Sequence, residues 1–220
     1  MKKYELTTEY KEIGNLKLFR VKALTSFGNV KGGEIGGYIE KEDNLSQDGN
    51  AWVSGNARVS SNAKVCGDAQ ACGDAWVYGD ARVSSNAKVY GNAQVYSNAK
   101  VGGNAQACGD AQVYGDARVY GDAEVSGDAE VYSDAWVGGD AWVNGNEDYT
   151  TIKGFGREYR NTTFFRQKDG SIGVVCGCFY GTLDEFRKKV RETHGESKFA
   201  KEYLMIADLM EMHFDRSEGE

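Results

Sequence analysis

The side chains best placed to do chemistry recur at a fixed interval. Lys64, Arg82, Lys100 and Arg118 stand eighteen residues apart, with Trp136 at the next such position. Tyr78, Tyr96, Tyr114 and Tyr132 keep the same interval. Cations held in register attract anions, and aromatic rings held in register stack with π-bearing ligands. Outside the periodic part the candidates are few. His194 and His213 are the chain's two histidines and so its candidate imidazole general bases. Cys176-x-Cys178 offers two thiols, but a metal site would need two further ligands, of which His194 is the nearby histidine candidate. No metal and no cofactor is expected. The five cysteines, Cys66, Cys72, Cys108, Cys176 and Cys178, are odd in number and lack framework spacing, so they read as reduced, small packing residues. His213 reads as a helix-end histidine.

An eighteen-residue interval must come from the backbone. Alanine occupies every sixth position from Ala51 to Ala141, sixteen in all. Valine follows two residues later, from Val53 to Val143, replaced only by Ala71 and Ala107. Asn or Asp precedes each alanine, itself preceded by Gly or Ser. Ala and Val two apart share one side of an extended strand, while the Gly-Asn or Gly-Asp pair supplies the positive φ of a tight corner. One short strand and one corner make six residues, and three such units close a triangular coil of eighteen. A helix would need apolar spacing near 3.6, and a sandwich would need turn signals every 8 to 12 residues. Ile39 and Leu45 are in phase with the repeat, so GGEIGGYIEKEDNLSQDGN is expected to form an irregular first coil. The expected parts are an N-terminal β cap with that coil over 1–43, a repeat solenoid over 44–146 and a C-terminal α/β domain over 147–220. The sixteen repeats make about five coils, roughly 25 Å at the ~4.8 Å strand spacing.

The eighteen-residue period sorts the outward side chains into columns. The basic ladder fills one face and the tyrosines one edge. The other two strand columns hold Gln and Glu with Arg58, Lys88, Trp52, Trp76 and Trp142. Two readings of the ladders stand side by side. Lys and Arg blunt exposed strands and keep them soluble, and tyrosines pack well on a pleated surface or at a subunit contact. Alternatively, Lys64, Arg82, Lys100 and Arg118 contact negative charge, with Tyr78, Tyr96, Tyr114, Tyr132 and Trp136 stacking beside it in one groove. The Asn and Asp column follows from turn chemistry, and the nonapeptide pattern of calcium-binding repeats is absent.

After Asn146 the period stops. NTTFFRQ and SIGVVCGCF read as strands joined at Lys168-Asp169-Gly170. Thr182 with Glu185 forms a capping box opening LDEFRKKVRET, closed by His194-Gly195. A second helix is expected over roughly 197–214, with Phe199, Tyr203, Ile206, Met210 and Phe214 on one buried stripe. This part is expected to cap the open coil, since an unpaired end would template aggregation.

Composition narrows the function classes. Hydrophobic residues make up 40%, lean for one conventional core, and Gly 29 with Pro 0 marks glycine as punctuation in a regular backbone. A net charge of −7 argues against a duplex-DNA binder. The N-terminus has no signal-like apolar run, and no stretch approaches the ~20 apolar residues of a membrane span, so a cytoplasmic location without membrane contact is expected.

The unit Val77-Tyr78-Gly79-Asp80-Ala81-Arg82 resembles the hexapeptide-repeat superfamily. That resemblance covers nearly half the chain and implies a left-handed parallel β-helix, a homotrimer, and acyl transfer from acetyl-CoA. Its enzymes place a histidine base on or beside a coil, and residues 51–145 contain no histidine and no insertion. The activity therefore leans toward none, with an acyltransferase based on His194 or His213 as the alternative and a structural spacer as another. The near-identical units joined to CGCFYGTLDEFRKKVRETHGESKFAKEYL are more similar to hexapeptide-repeat proteins of bacteriophages and prophages. That likeness implies a non-enzymatic accessory protein in a bacterial host, sequestering an anionic ligand such as a signalling nucleotide or blocking a host defence protein.

Overall fold

The computed structural model describes residues 2–215. Each hexad contributes one two-residue strand, sixteen in sequence from β4 (Trp52–Val53) to β19 (Trp142–Val143). They stack in parallel into three sheets, each strand pairing with the strand three hexads away, as in Lys64↔Arg82 and Lys100↔Arg118. The result is a three-sided parallel β-solenoid of about six turns. Every alanine and valine of the repeat points inward and is fully buried. Each buried valine contributes about 1.5–3 kcal/mol of hydrophobic stabilisation. The corners are made by left-handed residues, mostly glycine, as at Gly91 (φ 70). A Cβ there would sit 3.0 Å from the nitrogen of Gly109 in the next coil, so the stacked corners leave little room for side chains.

A β-hairpin, β1 (Tyr4–Ile13) and β2 (Leu16–Ala23), extends one sheet through β3 (Ile35–Ile39), which pairs in parallel with Arg58–Val59. Ile39 and Leu45 lie in register with Val59 and Val65 and are buried. Buried Asn44 donates to the carbonyls of Ser61 (3.1 Å) and Ala63 (2.9 Å), satisfying acceptors that this irregular coil would otherwise strand. Trp52, expected on an outward column, is instead 4% exposed, because the loop after β2 lays Phe27 against its ring at 5.5 Å.

At the other end, β20 (Tyr149–Phe155), β21 (Arg160–Arg166), β22 (Ile172–Cys176) and β23 (Phe179–Thr182) form an antiparallel sheet. Alternation in β21 divides its side chains. Phe165 joins the solenoid core, whereas Phe164 packs with the helices α1 (Leu183–His194) and α2 (Lys198–Phe214). Gly173 leaves the space that Phe165 fills, since a Cβ there would lie 2.3 Å from its ring. Trp136 N–H donates to Thr163 Oγ1 (3.0 Å) and Lys168 N–H to the Asp140 carbonyl (3.1 Å), so this sheet covers the last coil. Thr182 and Glu185 cap α1 reciprocally, and Ser197 caps α2. The stripe of α2 is buried at Tyr203, Ile206, Met210 and Phe214 and half-buried at Phe199.

Two local readings need correction. The segment SIGVVCGCF is two strands, because Gly177 (φ 61) and Cys178 form a two-residue turn between Cys176 and Phe179. Cys176 and Cys178 therefore do not share one strand face. Nor are all cysteines packing residues: Cys108 is buried, but Cys178 sits on that turn and is exposed.

Candidate functional site

The basic ladder exists as a column. Lys64, Arg82, Lys100 and Arg118 project from four successive strands of one five-stranded sheet, all exposed, with Trp136 on the fifth. Among the described residues no carboxylate comes within ion-pair distance of these four cations. The Arg118 guanidinium lies over the Trp136 ring at 5.6 Å, and Trp136 remains 37% exposed.

The tyrosines form a stack, but they serve the adjoining face. Ring centroids are 4.8 Å apart for Tyr78–Tyr96, 4.9 Å for Tyr96–Tyr114 and 5.4 Å for Tyr114–Tyr132, with interplanar angles of 4°, 3° and 15°. Their hydroxyls donate to Gln94 (3.4 Å), Gln112 (3.1 Å) and Glu130 (3.0 Å), all on the sheet next to the basic one. The rings thus lean across their corner toward the Gln and Glu column, and the expected single groove of rings and cations divides in two. At this spacing each ring is already stacked on its neighbour, and Tyr149 stands edge-on against Tyr132 with centroids 6.4 Å apart, so a planar ligand meets the ring edges. Burial and the Glu130 carboxylate push the Tyr114 phenol up to about 12. Trp76 lies tilted by 41° against Tyr78 with centroids 4.7 Å apart, and the Arg58 guanidinium sits 4.7 Å from the Trp76 ring.

Asparagines weld the corners. Asn62 donates to Asp80 (3.1 Å), Asn98 to Asp116 (3.0 Å), and Asn86 to Asn104 (3.0 Å), which in turn donates to Asp122 (2.8 Å). Each amide thus reaches one coil toward the C-terminus. Their role as turn residues is joined by a lateral one that residue preference alone did not suggest.

Residues 111–127 match the YdcK β-solenoid repeat. The matched stretch is just under one coil, and it supports a β-solenoid repeat without assigning an activity. No curated protein matches the chain.

Neither histidine approaches the ladders. His194 closes α1 against Tyr203, with centroids 5.8 Å apart, and exposed His213 lies beside Phe214 at 5.0 Å. Among the described residues no three His, Cys, Asp or Glu side chains converge in a way that could hold a metal ion, and no helix is long and apolar enough to cross a membrane.

A cavity of about 360 Å³ between the C-terminal sheet and the helices escaped the sequence reading. Its walls come from the β20–β21 turn, the β22–β23 turn, α1 and α2, so no local motif announces it. The one signal was glycine: Gly156 (φ 70) lets the Tyr203 hydroxyl reach the Phe155 carbonyl at 3.3 Å, where any Cβ would collide.

Proposed function

We propose that this protein is a non-enzymatic binding protein that holds an anionic partner along the Lys64–Arg118 ladder. The observation that carries this reading is the absence of compensation among the described residues: four exposed like charges are fixed one strand apart with no ion-pairing carboxylate. At the ~4.8 Å strand spacing, each adjacent pair repels by about 0.9 kcal/mol in a water-like dielectric. A bound polyanion turns that repulsion into attraction, and the exposed Trp136 at the end of the column offers a stacking surface. The partner this chemistry favours is a nucleotide carrying several phosphates' worth of charge. With the likeness to phage hexapeptide proteins, the reading becomes sequestration of a signalling nucleotide in a bacterial host, with the homotrimer as the proposed assembly.

The test is native mass spectrometry of the protein purified from bacteria with active nucleotide signalling, beside the double variant Arg82→Glu/Lys100→Glu. The wild type is expected to retain a nucleotide-sized adduct, weakened by raised salt because exposed charges are screened. The folded double variant is expected to lose it. An adduct kept by the double variant, or an empty wild type, overturns the reading. In the latter case acetyl-CoA turnover abolished by His194→Ala would point to the acyltransferase alternative.

A further inference from the structure

We propose that the cavity between the C-terminal sheet and the helices is a second, independent binding site, for a small aryl acid. Its floor is aromatic: Phe186 lies 5.6 Å from Phe179 and 5.7 Å from Tyr203, the latter edge to face. Its rim is cationic, with Arg157, Arg160 and Lys189 lining the same space. Two of those cations are partly engaged, Arg157 with Glu158 of the same rim at 3.9 Å and Lys189 with Glu192 at 3.8 Å. Arg160 has no ion-pair partner among the described residues, and its guanidinium rests against Gly177, the one residue type that leaves it room.

An apolar slot of this size with one convergent free cation selects a molecule with an apolar body and a single anionic head. Aromatic walls favour a ring over a flexible chain, because ring edges and faces pair with those of Phe179 and Phe186. The guanidinium pairs a carboxylate or a phosphate in two parallel hydrogen bonds. The hairpin tip that carries Arg157 and Arg160 is tied to α2 by Gly156 N–H donating to Glu202 (3.1 Å), so the rim is held in place before any ligand arrives. Burial together with Cys176 pushes the neighbouring Tyr203 phenol up to about 12.

Cys178 lines the cavity and is exposed, which provides a reporter. Alkylation of Cys178 by iodoacetamide, followed by peptide mass spectrometry, is run on the full chain with hydrocinnamate, phenyl phosphate or the uncharged hydrocinnamyl alcohol. Titration calorimetry with the same probes gives affinities. Hydrocinnamate or phenyl phosphate is expected to slow labelling, the preferred head group being the better protector, with the alcohol at least roughly tenfold weaker. Arg160→Gln is expected to weaken the acid by roughly tenfold, and Lys189→Gln, on an exposed helix face, by less. Equal protection by acid and alcohol, or no protection with no heat, overturns the proposal. Arg82→Glu/Lys100→Glu is expected to leave this binding unchanged, which separates its failure from that of the ladder.

Discussion

At the scale of single residues, the most consequential polar group is Asp148. Its Oδ2 accepts from the N–H groups of Asn144 (3.0 Å) and Gly145 (3.2 Å), while Oδ1 pairs with Arg166 (3.2 Å). Arg166 also donates to the Phe214 carbonyl at the end of α2 (2.8 Å). One carboxylate therefore ties the last coil to the sheet and the helices. Asp148→Ala is expected to cost about 3–5 kcal/mol in urea unfolding, because it strands a mostly buried guanidinium. The same substitution at exposed Asp169 is expected to cost far less. The tyrosines give a second, pH-dependent expectation. Burial lifts Tyr90, Tyr114 and Tyr203 to about 12 from an ordinary value of 10, with a hydrogen bond involving Cys108 the largest cause at Tyr90. The unfolded chain loses these protons first as pH rises, so their contribution is complete below pH 10 and falls between about pH 10 and 12. Phenolate absorbance should rise in two phases, and thermal stability should decline between them, from about pH 10 to about pH 12.

At the scale of elements, the corners carry the decisive sterics. Ser61, Ser85, Ser97 and Ser133 hold φ of 56–58 where most corners have glycine. A left-handed non-glycine residue costs roughly 1–2 kcal/mol, so Ser97→Gly is expected to be neutral or stabilising by up to about 1 kcal/mol. Gly91→Ala meets both the unfavourable φ and the Gly109 backbone, and is expected to cost about 2 kcal/mol or more in the melting transition. The strands were legible in the sequence because period six leaves one arrangement in which alanine and valine share a face and an Asn or Asp turns the corner. The capped helices were legible for the same local reason: Thr182, Glu185 and Ser197 act within one turn. The break at Gly177 was not, since a glycine inside VVCGCF reads equally as a strand residue until its φ is known. The lean of the tyrosine rings was also hidden, because it depends on Gln94, Gln112 and Glu130 sixteen residues further along and one coil away. The cavity draws on four elements with no common period, so nothing in the spacing could have assembled it.

At the scale of the whole molecule, stability is a sum over neighbouring coils rather than the property of one core. Removing residues 100–117 deletes one coil's worth of eighteen residues and returns Arg118 to the register of Lys100 above Arg82. That deletion is expected to leave a folded protein with a similar melting transition and a ladder of three cations, which should bind the anionic partner more weakly. Deleting residues 100–111 instead leaves the cap on its own last coil but sets Gln112 above Arg82 and carries Arg118 to the next face. The ladder then shrinks to Lys64 and Arg82, and anion binding is expected to weaken further in a fold that circular dichroism shows intact.

The asparagine ladders have a direction, and they run out of donors. Asn62 leads to Asp80, Asn98 to Asp116, and Asn86 through Asn104 to Asp122, after which the corner positions are Asp128, Asp134 and Asp140. The earlier corner carboxylates Asp68, Asp74 and Asp80 are each followed one coil on by an asparagine, whereas toward the C-terminal end carboxylate follows carboxylate. There Lys153 meets Asp134 at 2.8 Å and Lys168 reaches the Asp122 carbonyl at 2.9 Å. The stack therefore behaves like a zipper with a preferred stop: coils of the same pattern could extend it at the amide end, whereas at the acidic end growth halts against its own charge until a lysine-bearing cap arrives to close it.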